Sequence, residues 1–237
     1  MTKYKRLEMP YYLIQSYADL AIAHKRNVET NPTNIYVGFR HNFALLSINA
    51  AIVEGTLRSL LHWHLFGEAE AATKKGITLG QEAPDLAERT LIRLRLEVDT
   101  SNTWSTLKSN FKYLYGKSVS DVVTQGNLKK IEHLFTIRNR AAHGSSIQIP
   151  SQQVAVEDNE YLFALQEKLS ELTKFLSGEL GTLDIYDGLG HKDVAALFWT
   201  TTKEFVVKLE ALPPFAKELQ KNINAIKNYE FGMLFTG

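Results

Sequence analysis

Apolar residues along this chain recur at helical steps. Phe39, Phe43, Leu46, Ala50, Val53, Leu57, Leu60 and Leu61 fall three or four apart, which predicts one long amphipathic helix over about residues 40–66. Pro84 and Asp85 read as a helix start ahead of Leu86, Leu91, Leu94 and Leu96. Trp104, Leu107, Phe111 and Leu114 carry a further helix to Gly116. Gln125-Gly126-Asn127 reads as a turn whose asparagine caps a helix over 128–143, and Gly144 suits its exit. Residues 145–157, polar and containing Pro150, read as a loop before a helix over 159–180 with Leu162, Leu165, Leu169, Leu172 and Leu176 on one face. A Gly/Asp-rich turn at 184–190 precedes a helix over 192–209. Pro213-Pro214 then breaks the chain before a terminal helix carrying Phe215, Leu219, Ile223 and Ile226. Strand candidates are short: 34–39 and 147–149. The pattern predicts an all-α fold, an antiparallel helical bundle forming one domain over 1–237. Its core spans about 40–180, with an N-terminal extension over 1–39 and an additional C-terminal helical hairpin over about 191–237.

Composition narrows the chemistry more than it names it. With 237 residues, 44% hydrophobic and 22% charged, the chain can bury a sizeable core. It has no cysteine, so disulfides, thiolate metal sites and a cysteine nucleophile are excluded, and a reducing compartment fits. The basic N-terminus lacks the apolar run of a signal peptide. The apolar region over 43–66 is broken by Asn49, Glu54, Arg58, His62 and His64, so no membrane span is expected and the cytoplasm is the expected location.

Net charge is +1, yet it is segregated. Residues 105–144 carry seven lysines and arginines against two acids, whereas 151–190 carry eight acids against two lysines. Two faces that attract each other within the fold explain this as well as a nucleic-acid surface does.

The basic block leads into Ile137-Arg138-Asn139-Arg140-Ala141-Ala142-His143-Gly144. On a wheel at about 100° per residue, Leu128, Ile131, Leu134, Phe135, Ile137, Ala141 and Ala142 share a broad arc with Arg138 near its middle. A guanidinium there is costly unless it is paired or the arc faces a wet or intersubunit cleft. Glu132, Asn139 and His143 line the arc's edge, and the helix dipole favours protonated His143 in the last turn. A cation, an amide and an imidazole so arranged can hold a phosphate and move protons without a metal. A snorkelling arginine and a capping histidine are the structural alternative.

The string Arg138-Asn139-x-x-x-His143, closing a helix before Gly144, resembles the defining motif of the HEPN superfamily. The helix over 40–66, with Glu54 and Arg58 set in its apolar pattern, is similar to that family's first bundle helix, and the likeness covers about 40–180. The resemblance implies a homodimer through the motif helices, with two motifs facing each other in a cleft. It further implies an endoribonuclease with no cofactor or metal, acting as a toxin or in phage defence, with RNA as substrate and an antitoxin protein as a partner. Arg138, Asn139 and His143 are then the catalytic residues. His143 and its symmetry mate serve as base and acid, Arg138 holds the phosphate and Asn139 orients it.

Lys108, Lys112 and Lys117, interleaved with Phe111, Tyr113 and Tyr115, together with Arg140, are candidates for tracking RNA. Helical spacing favours Phe111 and Leu114 as core, with the lysines as ordinary surface. Glu54 and Glu132 are candidates for positioning the site, Glu54 by pairing with Arg138, although a surface glutamate is the simpler reading of Glu54. His62 and His64, two apart, lie on different helix faces and are poor joint metal ligands. Asp184, Asp187 and His191 lack the spacing of a calcium loop. No P-loop, dinucleotide fingerprint or nucleophile elbow occurs. Two further classes stay open: a non-catalytic HEPN module binding a nucleotide or protein, and a helical protein with a coincidental motif.

Overall fold

The computed structural model describes residues 8–80, 85–100, 103–142, 160–212 and 217–236. The fold is all-α. Among the described residues there is no strand, and the chain forms α1 (Met9–Thr30), a 3-10 turn (Val37–Arg40), α2 (Asn42–Thr78), α3 (Leu86–Thr100), α4 (Trp104–Tyr115), α5 (Val119–Val123), α6 (Gln125–Ala142), α7 (Glu160–Leu180), α8 (Ile185–Gly190), α9 (Val194–Glu210) and α10 (Lys217–Asn228). Pro84, residues 143–159 and Pro213-Pro214 lie outside the described residues, so the loop over 145–157 and the strand candidate over 147–149 do too.

Several elements differ from expectation for identifiable reasons. α1 was not foreseen, yet Ile14, Tyr17, Ala18 and Ala21 are buried at helical steps. α2 continues past Phe66 because the next residues, rich in Ala, Glu and Lys, sustain a helix by propensity after the apolar period has ended; Glu70 and Lys74 pair at 3.1 Å. α2 is long and apolar enough to cross a membrane, but its apolar window is 61% buried, as in a core helix. The segment over 34–39 is no strand: the Asn34 Oδ1 accepts from the Tyr36 amide at 3.0 Å, and the chain turns into the 3-10 segment.

Asp184–Gly190 is not a turn but a short helix, with the Asp184 carboxylate accepting from the Asp187 amide at 2.8 Å. Its glycines serve close packing. A Cβ on Gly188 would come within 2.7 Å of Leu176, and one on Gly190 within 2.6 Å of Phe39.

The chain divides into two compact units. Unit 1 comprises Met1–Tyr12, Ile52–Leu128 and Glu204–Asn228. Its interior holds Leu57, Leu61 and Leu65 of α2, Leu107 and Phe111 of α4, Phe205 and Leu209 of α9, and Leu219, Ile223 and Ile226 of α10. α2 and α3 run antiparallel, because partners descend one helix as they climb the other: Arg58 to the Val98 carbonyl, His62 Nδ1 to Asp99 at 2.7 Å, Arg95 over the Phe66 ring at 5.5 Å, and Thr73 to Glu88. Glu8 accepts from Ser59 at 2.5 Å and from the Trp63 indole at 3.0 Å, tying the chain before α1 to α2.

Unit 2 comprises Leu13–Ala51, Lys129–Lys203 and Tyr229–Gly237. An aromatic cluster centres it. Tyr17 stacks on Trp199 with ring centroids 4.7 Å apart, Tyr229 meets both edge-on, and the Trp199 indole donates to the Tyr229 carbonyl at 3.1 Å. Burial holds the Tyr17 hydroxyl well above its ordinary pKa, so it stays a donor, to the Ala195 carbonyl at 3.3 Å. Residues 191–237 are divided between the two units, and residues 13–39 lie in unit 2.

Candidate functional site

The motif rides on α6, whose start is set by Thr124. The Asn127 amide donates to the Thr124 hydroxyl at 3.3 Å, so Thr124, not Asn127, is the cap. Asn127 instead turns inward and donates to Glu204 at 3.1 Å. Thr124 adopts φ +71°, a backbone region that strains a β-branched residue.

From Lys129 onward α6 belongs to unit 2 and is anchored by its apolar arc. Ile131, Leu134, Phe135 and Ile137 are buried. α7 runs beside it in the opposite sense: Lys130 pairs with Glu179 at 2.8 Å, and His133 stacks on Phe175 at 5.3 Å. Lys129 pairs with Glu171 at 3.0 Å, and this lysine holds the Glu171 carboxyl below its usual range. Two of the seven cations in the basic block are thereby engaged by the acidic segment. Exposed pairs of this kind add little stability.

The last turn differs. Arg138 is half-buried, Asn139 exposed, Arg140 and Ala141 half-buried, and Ala142 exposed. The wheel had set Arg138 in the middle of a buried arc. Burial ends one residue earlier, at Ile137, and the guanidinium lies over the Phe135 ring at 5.2 Å. A cation over a ring at a partly exposed site contributes roughly 0.5–1 kcal/mol and orients the head group without fully dehydrating it. Glu132 is half-buried two turns before Asn139. His143 and Gly144 lie outside the described residues.

His133 is a site-neighbouring residue that the wheel overlooked. It is 7% exposed, and burial pushes its pKa down against the opposing pull of Glu171 and Glu132, with Lys129 adding to the depression. The signal was present, since His133 sits one turn before Ile137 on the flank of the apolar arc.

The remaining candidates belong to unit 1. Thr103 caps α4 through the Thr106 amide at 3.3 Å, and Gly116 ends it at φ +66°. On this helix Lys108 is half-buried and Lys112 exposed, and Lys117 is exposed just beyond it. Phe111 is buried and half-buried Tyr115 stacks on it at 4.7 Å, whereas Tyr113 projects at 78% exposure. Burial pushes the Tyr115 hydroxyl up to about 12. The Ser118 hydroxyl and amide hold the Asp121 carboxyl low, helped by the charges of Lys112 and Lys117. Glu54 accepts from Arg58 at 2.8 Å, and Arg58 also reaches the Val98 carbonyl, so this pair steadies α2 against α3.

Within unit 2, then, the last turn of α6 presents Arg138, Asn139 and Arg140 at consecutive positions, two cations flanking an exposed amide. Such a turn can bind a phosphate oxygen through the planar donors of arginine. Among the described residues, no three His, Asp or Glu side chains are grouped to hold a metal ion. No family model, curated protein or solved structure matches the chain.

Proposed function

We propose that this chain is a metal-independent endoribonuclease of the HEPN type, a cytoplasmic toxin or phage-defence protein whose active site forms where two motif helices meet in a homodimer. The observation that carries the reading is the change of character along α6. The helix is buried through Ile137, and its next turn carries half-buried Arg138 and Arg140 on either side of exposed Asn139, just before His143 in the chain. A rigid body with an accessible polar end suits a site whose groups must be held in register.

The chemistry follows from the groups available. His143 of one protomer takes the proton from the ribose 2′-hydroxyl. The oxygen attacks the adjacent phosphorus, and the symmetry-related histidine gives a proton to the departing 5′-oxygen, leaving a 2′,3′-cyclic phosphate. Arg138 neutralises the non-bridging oxygens as charge builds on the phosphorane, and Asn139 orients the phosphate or ribose. Arg140 and the α4 lysines Lys108, Lys112 and Lys117 attract the strand, while Glu132 positions the polar stripe. A proteinaceous antitoxin would act by covering this end of α6.

Labelled RNA incubated with the protein and EDTA tests the proposal, beside the Arg138→Ala/His143→Ala variant. Cleavage by the wild type alone, with cyclic phosphate ends, is the expected result. Nucleotide binding without cleavage would instead make the chain a binding module.

A further inference from the structure

In unit 2, the segment joining α8 to α9 is held by side chains that donate to its carbonyls. The Asn42 Nδ2 donates to the Leu189 carbonyl at 2.8 Å and the His191 carbonyl at 2.9 Å, and His24 Nε2 meets the Lys192 carbonyl at 2.7 Å. A carbonyl only accepts, so the His24 Nε2 is the donor, and in the neutral ring Nδ1 is the nitrogen left with a lone pair. The Asn42 amide is likewise fixed, with Oδ1 left as an acceptor. Neither acceptor has a hydrogen-bond partner, although His24 is 1% exposed and Asn42 fully buried. The neighbouring His41 adds a third buried atom without a partner, its Nδ1. Buried polar atoms left in this state are rare and call for an explanation.

We propose that His24 Nδ1 and His41 Nδ1, with Asn42 Oδ1, form a binding site for a transition-metal dication of the zinc class. Three features argue for a metal over a structural accident. A histidine that ligates a metal characteristically donates its other ring N–H to a carboxylate or backbone carbonyl, which fixes the tautomer, and His24 does so to Lys192. Two imidazoles bound to one ion at about 2.0–2.1 Å put their ring centres roughly 5–6 Å apart. The His24 and His41 rings are 5.9 Å apart. Finally, in a chain without cysteine two imidazole nitrogens are the donors that suit zinc, with the amide oxygen a weaker third.

The surroundings set limits on the site. Phe231 stands edge-on to His24 at 6.1 Å and walls one side, while His41 is half-buried. Arg40, which donates to the Asn27 Oδ1 at 3.4 Å, adds positive charge near His41 and weakens affinity for a cation. The bound ion would tie α1 to the start of α2, with water completing its coordination. Three separate stretches of sequence, at 24, 41–42 and 189–192, assemble this site, and its third donor is an asparagine.

This proposal is independent of the ribonuclease reading, which is tested in the presence of a chelator. The experiment uses the full chain, stripped with EDTA, dialysed and titrated with Zn2+ alone by calorimetry, with thermal melting in parallel. One equivalent of zinc should bind and raise the melting temperature. His41→Ala and His24→Gln, the latter retaining an N–H for the Lys192 carbonyl, should each weaken binding by about tenfold or more. His62→Gln, in unit 1, should leave it unchanged. If His24→Gln does not fold, His41→Ala decides alone. Absence of binding by the wild type, or wild-type affinity in His41→Ala, overturns the proposal.

Discussion

Between Lys129 and Ile137, α6 has buried apolar side chains and partners on α7; from Arg138 to Ala142 the same helix carries cations and an amide with its burial largely lost. The difference separates two kinds of polar residue that look alike in sequence. Lys129 and Lys130 are basic residues of the motif helix, yet each is bound to a glutamate of α7. Arg138 and Arg140, two to three turns later, lie where the helix emerges. A basic block is therefore not one surface, and its function is to be sought at the emergent end.

The largest expected stability effect lies in the anchored part. Leu134→Ala should cost about 2–5 kcal/mol in denaturant unfolding, because a fully buried leucine leaves a cavity. Asn139→Ala should stay within about 1 kcal/mol, since an exposed amide holds little of the fold. Equal losses at Leu134 and Asn139 would erase the distinction between the two parts.

Acid should weaken the fold through histidines that burial holds neutral. Burial depresses the pKa of His133 in unit 2 and of His64 in unit 1, where Glu68 opposes it. The unfolded chain, with histidine near 6.5, takes up these protons first. Their contribution to stability is thus complete above about pH 6.5 and is lost as the pH falls through the lower folded values. His133→Phe, which keeps a ring against Phe175 but cannot titrate, should flatten the loss measured by melting temperature between pH 7 and 5. An unchanged slope would show that His133 does not titrate as its burial requires.

A smaller effect is expected at the helix start. Thr124→Ala should cost about 1 kcal/mol, losing the cap while keeping the strain at φ +71°. Thr124→Gly should lie near the wild type, because glycine relieves that backbone at the expense of the same hydrogen bond. Smaller still, Lys129→Ala should leave the unfolding midpoint at the wild-type value, since its pair with Glu171 is half exposed.

Helices with an unbroken apolar period were legible in the sequence. Leu57, Leu60 and Leu61 mark α2, Leu169, Leu172 and Leu176 mark α7, and Leu219, Ile223 and Ile226 mark α10, and all of them are buried. What escaped depended on distant partners. Gly188 and Gly190 read as turn residues because nothing local announces that Leu176 and Phe39 will press against them. Asn127 read as a cap because its acceptor, Glu204, is 77 residues away. Of the site, the spacing of Arg138 and Asn139 and their place on a helix were readable. The depth of Arg138 was not, because it depends on where the cover over α6 ends.

The most direct test measures cleavage and stability on the same preparations. Wild type and Arg138→Ala/His143→Ala are incubated with labelled RNA in EDTA, the product ends are determined, and each protein is unfolded in urea. The account predicts that only the wild type yields 2′,3′-cyclic phosphate ends, with unfolding midpoints that agree between the two. Cleavage that persists in the double variant, or a wild type that never cleaves RNA, would contradict it.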